Sequence, residues 1–425
     1  MFLIRIIVLI TLFSCSGVFA QIKWEKYPNN PVIIKSNNIW EFRAIGQPEC
    51  LLENDTFKMW YVGGGGLFTN VAVINYAYST DGINWTKHPT PILYQGTAGE
   101  WDSKWMDTPA IVRDSVGYKL YYFGDITNSF PPLLPAFGLA TSTDGINFEK
   151  YSGNPVFLKG DTTEWDGFWI ESPMIIFDEG IYKMWYTGMS RNWQGQVGYA
   201  TSTDGINWQK YSGNPVLKTG VAGSGEDFVA GVCTIVKRDT LYEMWYGGVS
   251  LQDMVNDTID TVNVGYAFSN DGIHWEKYTN NPVISTYSPN YDPDSGSPWA
   301  PTVVFTGTEY KMWYESRCAG FGLASSQLEG IEEKSLLPGG DVATLQISPN
   351  PFYKSILIQY EVIGLTHVVL KLYDVAGKMI KTLVDKKGSP GHYTLSCGEE
   401  LPSGIYFLHM EAGKVKIIQK LIKVR

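Results

Sequence analysis

The chain has 425 residues, a formal net charge of -10 and a pI near 5.1. That charge excludes an electrostatic nucleic-acid footprint, and the length allows one large domain and a small one. Aromatics make up 14% of the chain, with 15 Trp and 26 Tyr, a composition that suits pleated, half-buried strands and equally sugar-stacking platforms.

Residues 1–20 read as a secretory signal: Arg5 gives the positive end, Ile6 to Phe13 a short apolar run, and Val18-Phe19-Ala20 a small-residue cleavage pattern. The run is too short to span a bilayer. A lipoprotein reading at Leu12-Phe13-Ser14-Cys15 fits poorly because of Phe13. No membrane span is expected after cleavage. Cleavage would leave Cys50, Cys233, Cys318 and Cys397, with no Cys-x-x-Cys pair. Buried thiols are expected, with one disulfide left open. No acidic cluster points to a channel Ca²⁺, so neither metal nor cofactor is predicted.

From residue 21 to 326 one unit of about 60 residues recurs. Its aromatic strand reads Lys58-Met59-Trp60-Tyr61, Lys119-Leu120-Tyr121-Tyr122, Lys183-Met184-Trp185-Tyr186, Glu243-Met244-Trp245-Tyr246 and Lys311-Met312-Trp313-Tyr314. Hairpin turns fall at Asp81-Gly82, Asp144-Gly145, Asp204-Gly205 and Asp271-Gly272. Four strands per unit, repeated radially, predict a five-bladed β-propeller. The fifth unit lacks its last strand. Trp24-Glu25-Lys26-Tyr27 and Asn30-Pro31-Val32 carry the missing sequence, so the N-terminus is expected to complete the last blade and close the ring.

The repeat also serves as a background to subtract. Aligned on Pro48, Pro109, Pro173, Cys233 and Pro301, every unit has an acid seven residues earlier: Glu41, Asp102, Asp166, Glu226 and Asp294. Recurrence in all units predicts a structural role, such as capping a turn through backbone N–H groups. Two residues before the anchor the column reads Gly46, Asp107, Glu171, Gly231 and Trp299. Only the second and third units carry acids there. First strands of a propeller start where its channel opens, so these carboxylates are expected to converge, and paired carboxylates are what glycoside cleavage needs. The plain alternative is two solvated channel acids.

An acid two before Pro on the second unit (Asp107-Thr108-Pro109), with Glu171-Ser172-Pro173 on the third, resembles the five-bladed glycosidases of families 43 and 32. The Tyr-Ala-Thr-Ser-x-Asp-Gly and Asn-Pro-Val phrases are similar to the family 130 mannoside phosphorylases. The resemblance implies Glu171 as general acid and Asp107 as the residue that tunes it and orients sugar. It also implies a basic Asp where this chain has Gly46. Glu49 lies an odd number of residues further on, so an ideal strand turns it the other way. Phosphate could replace the activated water, a base could come from elsewhere, or the propeller could bind glycan or protein without cutting. Glu315, where the other units have Val, Phe, Thr or Gly, is the reserve candidate for a base. Arg43, Arg191 and Arg317 are candidates for binding hydroxyls, carboxylate or phosphate. Trp105, Trp169 and Trp299 flank the acid column and are candidate sugar platforms, or they simply pack at the tops of the blades. Ser142-Thr143-Asp144-Gly145 resembles a sialidase Asp-box but lacks the residue between Asp and Gly.

Residues 327–342 read as a linker, and 343–425 as a small Ig-like β-sandwich of short alternating strands. Ser348-Pro349-Asn350-Pro351-Phe352, Leu372-Tyr373-Asp374-Val375-Ala376-Gly377-Lys378 and Pro402-Ser403-Gly404-Ile405-Tyr406 resemble the C-terminal sorting domain of type IX secretion substrates. That resemblance implies the type IX machinery as partner and a secreted or outer-surface location. The fold class expected is all-β throughout, with a carbohydrate substrate in the propeller.

Overall fold

A computed structural model describes residues 24–64, 72–127, 129–221, 223–238, 240–252, 263–284, 298–316, 320–327 and, with short gaps, 343–423. The signal at 1–20, Asp294, Arg317, Cys318 and most of the linker lie outside these residues. Among the described residues the named elements are thirty β-strands. Contacts divide the chain into one compact unit at Lys23–Gln327 and another that contains the C-terminal residues.

The larger unit is built of five antiparallel modules. The first runs Ile45–Glu53, Thr56–Gly63, Val73–Ser79 and Thr86–Lys87, each strand pairing with the next. The other four begin with Trp105–Arg113, Trp169–Asp178, Val229–Arg238 and Pro298–Phe305. These five first strands contact one another in cyclic order, the last touching the first. The N-terminus completes the fifth module, as the sequence predicts: Glu25 pairs with Ser325, and Ile33 with Phe321.

Two repeated contacts tie each module to the next. The aromatic strand sends a donor into the following hairpin. Trp60 Nε1–H donates to Gly145 O (2.9 Å), Tyr121 O–H to Gly205 O (2.7 Å), Trp185 to Gly272 O (2.8 Å) and Trp313, across the ring closure, to Gly82 O (2.9 Å). Glycine is required at the hairpin because φ is positive (77° at Gly82) and a Cβ there would stand 2.8 Å from Trp313 Cζ2. Trp245 is the exception. Its indole N–H is buried without a partner, and Trp24 packs edge-on against it at 6.2 Å. The second contact sends a tyrosine hydroxyl back to an acid of the preceding module: Tyr118 to Glu53, Tyr182 to Asp114, Tyr242 to Asp178 and Tyr310 to Glu243. The first module has Phe57 there, set edge-on against Trp313.

Where it is described, the acid found in every repeat is structural, though not mainly as a turn cap. Asp102 accepts from Tyr122 O–H (3.0 Å) and Lys150 (2.6 Å), and Asp166 from Tyr186 O–H (2.9 Å) and Lys210 (2.6 Å). Glu41 does the same with Tyr61 and Lys87 and adds the Ser36 backbone N–H. Each pins the module's outer strand to its second. The hairpin aspartates hold their own turns: Asp81 Oδ1 accepts from the Ile83 and Asn84 N–H groups.

Every first strand carries a bulge just inside its start. In the first module Gly46 faces Val62 and Glu49 faces Trp60. Val62 and Trp60 share a face, so Gly46 and Glu49 do too. The parity argument that turned Glu49 away fails, because the bulge inserts residues into the count. Gln47, Thr108, Ser172 and Ala300, each the residue before the anchoring proline, have φ between 43° and 52°. Left-handed non-glycine backbone concentrated at one level of the ring is the kind of strain that marks functional sites.

The smaller unit has a three-stranded sheet (Ala343–Ser348, Ile356–Val362, Gly391–Cys397) and a four-stranded one (Met379–Gly388, Thr366–Asp374, Gly404–Ala412, Val415–Lys423). Alternate apolar residues of both, among them Ile358, Leu370, Leu372 and Leu408, form a single core.

Candidate active site

The bulged strand starts surround a narrow cavity of about 60 Å³ lined by Glu171, Glu49, Gln47, Thr108, Thr187 and the three prolines Pro48, Pro109 and Pro173. That volume holds a few waters, or the edge of a sugar ring. No Lys, Arg or His stands among the described lining residues.

Glu171 is partly open to this cavity. Burial first, then the charge of Asp107, push its carboxyl up to about 7. The two acids flagged by subtraction are therefore electrostatic neighbours. Asp107 is raised as well, by burial, against the pull of the Thr108 N–H (2.9 Å) and the Trp105 indole N–H (3.3 Å). Two neighbouring, largely buried carboxyls cannot both ionise cheaply, and the one with fewer donors keeps its proton. That one is Glu171, whose rise has no opposing hydrogen bond, so it is equipped as a proton donor near neutral pH.

The third acid reaches the site from a different module. Glu315 sits on the second strand of the fifth module, yet an ideal Cβ on Gly46 would lie 2.6 Å from its Oε2. The Gln47 N–H donates to the same oxygen at 3.3 Å. Glu315 thus fills the space that an acid at position 46 would occupy. The same geometry recurs between the third and fourth modules: a Cβ on Gly231 would lie 3.0 Å from Thr187 Oγ1, and Thr187 is the repeat equivalent of Glu315. A glycine in the column admits the second-strand side chain of the preceding module.

The remaining candidates divide. Trp105 and Trp169 are 8% and 7% exposed and pack edge-to-face at 6.0 Å, so they are core aromatics rather than open platforms. Of the two readings the sequence leaves open, blade-top packing is the one their burial fits. Trp105 nevertheless bears on the site through its bond to Asp107. Trp299 pairs with Glu315 in the backbone ladder, and its side chain lies outside the described residues. Arg43 and Arg191 are exposed and line no part of the cavity. Arg317 lies outside the described residues.

Sequence reasoning missed three features. Glu49 and Thr187 line the cavity, the first hidden by the bulge, the second by its unremarkable place in the repeat. Phe130 is 56% exposed and stands edge-on to Trp169 at 5.2 Å, beside Trp193 at 5.7 Å. Its loop is fastened by buried Asp125, which accepts from the Thr127 and Leu134 N–H groups.

Residues 102–229, which contain Asp107 and Glu171, match the model of the glycosyl hydrolases family 32 N-terminal domain. That segment is similar to a glycoside hydrolase domain. Residues 346–424 match the secretion system C-terminal sorting domain, which directs proteins to the outer cell surface or beyond. An uncharacterised protein of Mycobacterium tuberculosis is 27% identical over 260 residues, 59% of this chain and 81% of the relative. A 1,2-beta-oligomannan phosphorylase of Thermoanaerobacter sp. is 30% identical over 125 residues, 28% of this chain and 41% of the relative. Among solved structures, a glycosyl hydrolase from Bacteroides ovatus superposes with a TM-score of 0.56 at 18% identity, covering 72% of this chain and 94% of that one. A beta-1,2-mannobiose phosphorylase from Listeria innocua does so with a TM-score of 0.55 at 14% identity, covering 72% and 97%. At these identities the structures speak for the fold alone, which is all-β and propeller-like.

Proposed function

We propose that the protein is a secreted glycoside-cleaving enzyme whose five modules form five blades around one acid-lined funnel. Glu171 is the general acid, Asp107 keeps its proton in place and orients sugar, and Glu315 is the base. The observation that carries this reading is Glu315 in the space left by Gly46. It supplies the acid that the first module lacks.

In the proposed reaction the Glu171 carboxyl proton passes to the glycosidic oxygen as the bond from that oxygen to the anomeric carbon breaks. A water on the opposite face attacks the anomeric carbon and gives its proton to Glu315. Each proton transfer from a positioned group contributes about 10²–10⁴-fold. Burial suits the acid role, since a carboxyl held near 7 keeps a large protonated fraction at neutral pH.

Phosphorolysis is the second reading, favoured by the 1,2-beta-oligomannan phosphorylase relative. It would place phosphate where the water attacks. A purely binding propeller is the third. One experiment separates them: purified protein is incubated with a panel of oligosaccharides, with and without inorganic phosphate, alongside Glu171→Gln. Reducing sugar released without phosphate supports hydrolysis, and sugar phosphate formed only with it supports phosphorolysis. Full activity in Glu171→Gln would remove Glu171 from the mechanism, and binding without release in the wild type would leave the binding reading.

A further inference from the structure

Glu49 is a buried acid that the proposed mechanism does not use. It is 4% exposed, lines the catalytic cavity, and also lines a second cavity of about 410 Å³ further along the channel among Ile111, Ile175, Ile235 and Val303. It therefore stands between the two spaces and forms the floor of the upper one. Its support is thin. The Thr302 hydroxyl donates to Glu49 Oε2 at 3.4 Å, and that hydroxyl is itself fixed by the Cys50 N–H at 3.0 Å. Glu49 Oε1 has no hydrogen-bond partner among the described residues. That oxygen is not among the sealed, unpartnered polar atoms, so an incoming group can reach it.

We propose that Glu49 is the floor contact of the sugar pocket, its outer oxygen reserved for a hydroxyl of a neutral terminal sugar. This rests on the glycoside-cleaving reading above and adds to it what the pocket recognises. Three features point to a neutral hydroxyl. The lining offers carboxyls and hydroxyls but no described cation to match an anionic group. The cavity has room for a substituent, not for a further sugar. Burial also keeps Glu49 in its acid form, at about 8, so it can donate and accept at once, as a hydroxyl does. The other titratable groups near it are Glu171 in the same cavity and Cys50 beside it in sequence, neither of which can neutralise it.

The test uses the full chain carrying ¹³C at its glutamate side-chain carboxyls, with the Glu49 and Glu171 resonances assigned from Glu49→Gln and Glu171→Gln. The probes are D-mannose, D-fructose, D-galactose and L-arabinose. The expected result is that a sugar that moves the Glu171 signal also moves that of Glu49. Glu49→Gln, which keeps one donor and one acceptor, should bind that sugar within about twofold of wild type, and Glu49→Leu about tenfold more weakly. A sugar that moves Glu171 while leaving Glu49 still, or that binds Glu49→Leu as well as wild type, overturns the floor contact alone. If no probe moves either signal, the sugar pocket itself is refuted, and the floor contact with it.

Discussion

Gly46→Ala is the sharpest perturbation of the proposed site, because it adds one methyl and removes no functional group. The new Cβ would come 2.6 Å from Glu315 Oε2, 3.1 Å from its Cδ and 3.3 Å from Oε1. All three contacts are to one carboxyl, so that carboxyl must move, by roughly an ångström to restore ordinary contact at about 3.5–4.0 Å. Glu315 is the flexible end of a long side chain, so the stability cost should stay below the about 1–3 kcal/mol of a rigid overpacked core. The cost to catalysis should be larger. A misplacement of about 1 Å in a reacting group is worth about 10²-fold. Gly46→Ala is therefore expected to lower kcat about 100-fold, with little change in KM and a melting temperature near that of wild type. Gly46→Asp combined with Glu315→Ala, which returns the acid to the first module, should recover part of the loss. The assay is reducing-sugar release, with a thermal melt as control. Wild-type kcat in Gly46→Ala would refute the argument that Glu315 acts from this space.

Other outcomes follow from the same contacts. Glu171→Gln should lower kcat by at least about 10². Since the protonated form donates, wild-type kcat/KM should fall as pH rises through about 7, and Asp107→Asn, by removing a negative neighbour, should move that limb to lower pH. Glu49 titrates near 4.5 when unfolded and about 8 when folded. Its contribution to stability is therefore complete below 4.5 and lost as pH rises to 8, on the order of a few kcal/mol. Melting temperatures should fall across that window, and less steeply in Glu49→Gln. Gly82→Ala, with φ at 77° and Trp313 2.8 Å away, should destabilise the ring closure by about 2 kcal/mol in urea unfolding. Lys150→Met should cost about 1–3 kcal/mol by leaving buried Asp102 with Tyr122 alone, while kcat stays unchanged. Loss of kcat there would tie the recurring acids to catalysis.

Much of the site is visible in the residue columns. Asp107 and Glu171 stand out because a propeller repeats its scaffold, so any side chain that serves only one or two modules departs from the pattern. Glu315 stands out for the same reason, as an acid where its equivalents are Val62, Phe123, Thr187 and Gly247. Its partnership with Gly46 is harder to see, since the two belong to opposite ends of the propeller sequence. Trp105 and Trp169 look equally suited to a core and to a platform, and only their burial against each other decides. Glu49 was misassigned because alternation along a strand presumes an unbroken ladder, and the bulge before it breaks the count.

The sequence alone therefore determines the repeat, its strands and turns, the N-terminal completion of the last module and the identity of the odd acids. These are local or periodic properties, written in Asp-Gly turns and in alternation. Closure of the ring and the bulges determine what the acids can do. Closure brings the fifth module against the first, so that Glu315 fills the void at Gly46. The bulges turn Glu49 inward, and the fold sets Asp107 and Glu171 close enough for their charges to interact. Those are distances between residues far apart in the chain, and no spacing along it encodes them.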